Sequence, residues 1–97
     1  MPIVRIVIRG HVQGVGFRNF VVREADARRL DGWVRNRRDH SVEAVLAGAS
    51  ETVRAMIEIC RRGPAGSYVE TIEEYAGSED DLTLRPPGET FSWLETV

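Results

Sequence analysis

Residues Gly10-His11-Val12-Gln13-Gly14-Val15-Gly16-Phe17-Arg18 limit what this chain can fold into more than any other stretch. They follow an alternating, strand-like run from Ile3 to Arg9 and lead into an apolar repeat at helical spacing from Phe17 to Arg28. A glycine-rich turn between a strand and a helix start aims several backbone N–H groups at one point, where the helix dipole favours an anion. Arg18 adds an always-charged planar fork that suits phosphate or carboxylate oxygens two at a time. Residue types alone leave a second reading open. Glycines at such junctions are common turn formers, and an arginine there can lie along the surface of the helix. The pattern is neither GxxxxGK[ST] nor GxGxxG with a downstream ribose-binding acid, so a nucleotide loop of either kind is not expected.

The rest of the pattern supplies the elements around this junction. Val4, Ile6, Ile8 and Val12 share one side of the first strand, and Ile3, Arg5, Val7, Arg9 and His11 share the other. Such half-polar alternation predicts a sheet with one covered face and one more open to water. Phe17, Phe20, Val21 and Ala25 recur at helical spacing and belong on the covered face. Trp33 to Asn36 and Val42 to Ala47 read as a hairpin around a tight turn from Arg37 to Ser41. Val53, Met56, Ile57 and Cys60 make the stripe of a second helix, with Ser50 the expected N-cap and Gly63-Pro64 the stop. Tyr68 to Ala76 is a fourth strand, Gly77 to Thr90 a polar, solvated loop, and Phe91 to Val97 a last strand. The order β-α-β-β-α-β is the ferredoxin-like split βαβ arrangement: an α+β fold with an antiparallel sheet and two helices on one face.

Size and composition narrow the function. The 97 residues make one small domain. A net charge of −2 argues against a broad nucleic-acid footprint, although Arg35, Arg37 and Arg38 cluster locally. The one cysteine, Cys60, permits no internal disulfide and fits a reducing compartment. No leader and no apolar run of about 18 residues is present, so a cytoplasmic, monomeric protein without a membrane partner is expected. His11 and His40 lack the spacing of metal ligands. Cys60 sits on the apolar stripe of its helix, and Trp33 and Trp93 are expected as core or sheet-face aromatics.

Two blocks, Gly10 to Arg18 and Gly32-Trp33-Val34-Arg35-Asn36 followed by Val42-Glu43-Ala44-Val45 and Gly48, resemble the acylphosphatase family. The element order and Gly63-Pro64 agree, so the likeness spans nearly the whole chain. The resemblance implies hydrolysis of carboxyl-phosphate anhydrides to a carboxylate and phosphate, with no metal and no organic cofactor. It makes Arg18 the phosphate-binding arginine and Asn36 the asparagine that orients the attacking water. It also makes the backbone of Gln13, Gly14, Val15, Gly16 and Phe17 the loop that holds the phosphoryl oxygens. By residue type alone, Asn36 reads equally as a strand-end asparagine bonded to its own backbone.

The chain departs from that family in three places. His40 stands where the hairpin turn normally has glycine, which puts the aim of Asn36 in question. Arg29 replaces a helix-end glycine, so that corner is expected to be strained or longer in helix. The segment from Gly77 to Thr90 is long and acidic. Two other functions fit the element order. One is an RNA-binding module, which needs stacking aromatics on the central strands; the first and third strands here carry none. The other is the acylphosphatase-like domain that opens larger carbamoyl-transfer proteins, against which a chain ending after one domain favours a free-standing enzyme.

Overall fold

The computed structural model describes residues 1–97. Its elements are β1 (Ile3–His11), α1 (Phe17–Ala27), β2 (Asp31–Asn36), β3 (Val42–Ala47), α2 (Ser50–Arg62), β4 (Tyr68–Ala76), α3 (Glu79–Leu82) and β5 (Phe91–Trp93). The strands lie in the order β4-β1-β3-β2-β5. β1 pairs antiparallel with β3 and β4, and β2 pairs antiparallel with β3, giving the expected split βαβ core. β5 departs from the expected all-antiparallel sheet: it runs parallel to β2, with Phe91 opposite Gly32 and Trp93 opposite Val34. The direction follows from the path of the chain. Ala76 ends β4 beside Val4, at the end of the sheet where β1 and β2 both begin. A chain crossing that end must start its next strand alongside the start of β2.

Both long helices cover one face. α1 buries Phe17, Val21 and Ala25, and α2 buries Val53, Met56, Ile57 and Cys60. They pack on Ile6, Ile8, Val34, Val42, Ala44 and Leu46 from the sheet, the alternation read from the sequence. Burial pushes the Cys60 thiol up to about 12, with the charge of Glu24 adding to it. Phe20 is only half-buried and meets Phe17 edge to face at 5.8 Å between ring centres. α2 begins one residue earlier than expected. Ala49, with extended backbone, is its N-cap, and Ser50 is already helical. The Gly48 N–H donates to the Pro2 carbonyl at 3.2 Å, which fixes the chain just ahead of the helix. The far end is as expected: Gly63 turns left-handed, and its N–H donates to Ile59 O at 3.0 Å.

The second face is more covered than its polar residues predict. Trp33, Val45 and Ala47 are buried there beneath Leu82. The segment from Gly77 to Thr90 is mostly exposed, as expected, but it also contributes Leu82 as a lid on this face. Ser78 and Asp81 cap α3 reciprocally, and the Trp33 indole N–H donates to the Asp81 carbonyl at 2.7 Å. Long side chains cover the rest. Glu43, almost fully buried, accepts from Arg5 at 2.9 Å and from Arg35 at 2.8 Å. Both guanidiniums also stack, Arg5 over Tyr75 at 4.4 Å and Arg35 over Trp33 at 4.5 Å.

The corner after α1 is strained and no longer in helix than expected. Arg29 takes the left-handed cap position at φ 57°, while the Leu30 N–H reaches back to Ala25 O at 3.0 Å. This is the helix-ending geometry that glycine adopts most easily.

Candidate active site

The loop between β1 and α1 forms one wall of an open cavity of about 110 Å³. Gly14 and Gly16 turn it at φ 74° and 77°, conformations that β-carbon-bearing residues adopt only at a cost. Gly16 is also the N-cap of α1 and offers no side chain to cap the helix. The amides of Gln13, Gly14, Val15 and Gly16 donate to no main-chain oxygen. A buried or half-buried amide needs a partner, and four together at a helix N-terminus are donors available to an anion. Gln13, Gly14, Gly16, Phe17 and Arg18 line the cavity. Val15 does not. It packs against the core beneath, so only its backbone belongs to the loop.

Opposite the loop stands Asn36, the last residue of β2, which also lines the cavity. Its backbone is held from both sides: it pairs with Val42 of β3, and its carbonyl accepts from Val97 N–H at 3.2 Å. The turn that follows absorbs His40 in a left-handed conformation at φ 74°. That turn keeps its place through several bonds. Arg37 N–H donates to Ser41 O at 2.9 Å, and His40 N–H to Arg37 O at 3.0 Å. Asp39 accepts from the Ser41 hydroxyl at 2.6 Å and from the Ser41 N–H at 3.0 Å. These bonds, the hydroxyl first, hold the Asp39 carboxyl well below the usual carboxylate range, with Arg9 adding to them. The histidine therefore strains the turn without turning Asn36 out of the cavity.

Two features of the site are absent from the sequence reading. The first is the Gln13 side chain, whose amide nitrogen donates to Arg37 O and to Ser41 O, both at 2.8 Å. It ties the anion-facing loop directly to the turn after Asn36. Both partners are carbonyls, so only the NH₂ end of the amide fits there. The second is Trp93. Expected as a core or sheet-face aromatic, it is about half exposed (49%) and lines the cavity with the Arg18 guanidinium 4.0 Å above its ring. Parallel pairing gives Trp93 the same facing as Phe91, toward α1, beyond the edge of the core. Asn19, from the first turn of α1, completes the lining. His11 is exposed at the end of β1 and is not part of the cavity. Neither a carboxylate nor an imidazole lines it.

A model of the acylphosphatase family matches residues 4–85, which contain the loop, Arg18 and Asn36. The chain belongs to the acylphosphatase family. An acylphosphatase of Rhodopseudomonas palustris (strain BisB18) is 53% identical over 93 residues, covering 96% of this chain and 94% of its own. The crystal structure of the acylphosphatase from Bacillus subtilis superposes with a TM-score of 0.83 at 37% identity, over 97% of this chain and 99% of that one. Full-length HypF, in a phosphate- and nucleotide-bound form, matches 98% of this chain with 12% of its own length, at 25% identity and a TM-score of 0.83. The acylphosphatase fold is thus found both as a nearly whole chain and as a small part of a larger one. Acyl-phosphate hydrolysis is the activity that goes with family membership.

Proposed function

We propose that the cavity receives the phosphoryl group of an acyl phosphate, with the amides of Gln13 to Phe17 and the guanidinium of Arg18 on its oxygens and Asn36 on the attacking water. The observation that supports this reading is a loop whose amides lack main-chain partners, lining with Arg18 and Asn36 one cavity free of carboxylates. A lining of fixed donors is suited to a transition state whose negative charge is spread over three equatorial phosphoryl oxygens, and it imposes no repulsion on it. The carboxylate leaves readily, so general-acid help is not required. The Asn36 carbonyl oxygen accepts one water proton, and its NH₂ donates elsewhere, which sets the line of attack without a strong base. Water oxygen bonds to phosphorus, the bond from phosphorus to the acyl oxygen breaks, and the water proton passes to a phosphoryl oxygen. The products are a carboxylate and inorganic phosphate.

No group of three His, Cys, Asp or Glu side chains is placed to hold a metal ion. An RNA-binding reading has less support, because the open face of β1 and β3 is occupied by the Arg5–Glu43–Arg35 network and has no stacking aromatic. A monomeric enzyme of a reducing compartment accords with its single, buried thiol. Phosphate release from benzoyl phosphate, without added metal and again in EDTA, tests the scheme. Equal rates are expected in both, with Arg18→Ala slower by more than about 10²–10³-fold, the usual effect of one lost charge-stabilising donor. A near-wild-type Arg18→Ala rate removes Arg18 from the mechanism, and activity lost in EDTA overturns the metal-free scheme.

A further inference from the structure

We infer that Trp93 is a positioning residue for Arg18: its ring holds the guanidinium flat at the mouth of the cup, with the N–H edge free for phosphoryl oxygens. The inference rests on the proposed role of Arg18 and adds a residue to it. A guanidinium has a face and an edge with different uses. Its face is attracted to an aromatic ring, whereas all five N–H donors point outward in its plane. Arg18 Cζ lies 4.0 Å above the centre of the Trp93 ring, and none of its N–H groups donates to the protein, so the donors are unspent. The side chains of Arg5, Arg9, Arg28, Arg35, Arg54 and Arg61 all donate to carboxylates, and that of Arg85 donates to the Leu82 and Thr90 carbonyls. Arg18 is instead held by a ring, and no acidic side chain lines its cavity.

The position of Trp93 fits this work. β5 carries it on the sheet edge beside the first turn of α1, where Arg18 is the second residue of the helix. It is half exposed, so its ring is not needed to fill the core, and its backbone is fixed by pairing with β2. An arginine without such a support loses several rotatable bonds of freedom when it binds phosphate. One already laid on a ring loses less, so the ring strengthens anion binding without touching the anion.

The test is a double-mutant cycle read by isothermal titration with inorganic phosphate on the full chain, using Arg18→Ala, Trp93→Ala, the double variant and Trp93→Phe. Trp93→Ala is expected to weaken phosphate binding about two- to fivefold, the measure of an exposed cation–π contact. Trp93→Phe should recover most of the loss. In the Arg18→Ala background the same change at Trp93 should have no further effect, a coupling that a merely structural role would not produce. Tryptophan emission gives a second readout, because Trp33 is buried on the other face of the sheet and does not line the cavity, whereas Trp93 does. Emission should change on phosphate addition to wild type and stay constant in Trp93→Phe. If Arg18→Ala binds phosphate as wild type does, the reading of the site itself fails. If Arg18→Ala weakens binding while Trp93→Ala does nothing, or does the same with and without Arg18, the role of Trp93 is overturned.

Discussion

Replacing Gln13 by alanine separates the two walls of the site without removing any group that meets the substrate through its side chain. The amide nitrogen gives two bonds of 2.8 Å to the carbonyls of Arg37 and Ser41. Each carbonyl keeps another donor, His40 N–H at 3.0 Å and Arg37 N–H at 2.9 Å, so no acceptor is orphaned by the change. The stability cost is then two ordinary bonds, about 2 kcal/mol together. For a chain of this size that corresponds to a melting midpoint lower by roughly 8–16 °C. The cost to catalysis comes through Asn36. It directly precedes the turn, and a shift of about 1 Å in a group that aligns a nucleophile lowers the rate by about a hundredfold. We expect kcat to fall ten- to a hundredfold, while phosphate affinity, set by the loop amides and Arg18, changes less than threefold. Steady-state kinetics on benzoyl phosphate at 15 °C, where the variant remains folded, measures the first; calorimetric titration with phosphate measures the second. A Gln13→Ala enzyme with a lowered midpoint but kcat within twofold of wild type would refute the reasoning. The clamp would then serve the fold and not the aim of Asn36.

Two further outcomes follow from the turn and its surroundings. His40 and Arg29 hold φ values of 74° and 57°, so His40→Gly and Arg29→Gly should each raise the unfolding free energy in urea by up to about 1 kcal/mol once the flexibility of glycine in the unfolded chain is counted; a lowered urea midpoint in both would dismiss the strain. Asp39, Glu73 and Glu74 are held below their ordinary range in the folded chain, Asp39 first by the Ser41 hydroxyl, Glu73 by Arg9 and Glu74 by Arg54. A depressed folded value means stability that is fully present above the unfolded value of about 4 and lost as the pH falls through the folded one. Thermal midpoints should therefore decline below about pH 4, and less steeply in Ser41→Ala; an unchanged slope in that variant would show that the hydroxyl does not hold Asp39.

What could be read from the sequence was mostly what neighbouring residues decide among themselves. The stripe Val53, Met56, Ile57, Cys60 makes a helix because those positions share a face whatever lies opposite, and α2 is where it was expected. The loop from Gly10 to Arg18 and the hairpin ending at Asn36 are similarly local. Contacts made across the fold were not legible. The parallel run of β5 depends on which end of the sheet β4 leaves, and no stretch of residues records that. The cover over Trp33 comes from Leu82 in a segment too polar to show a period, although Ser78 and Asp81 carry the spacing of a capping box. The Gln13 clamp spans 24 positions to Arg37 and 28 to Ser41, so only the folded structure joins them. By type, Trp93 reads as a core or sheet-face aromatic. Its use at the cavity comes from its place on an edge strand beside α1.

These two kinds of information divide the protein by chemistry as well. The cup works with amides, a guanidinium and a carboxamide, none of which changes charge over the ordinary pH range. The titrating groups with displaced values stand outside it: Asp39 and Glu73 around Arg9, and Glu74 at Arg54. Acid therefore acts on the frame before it acts on the donors of the cup. Asp39 joins the two domains of behaviour, because the turn it braces through Ser41 is the same turn that Gln13 clamps to the loop. Loss of its charge loosens the wall that carries Asn36 while the amides and Arg18 remain as they were.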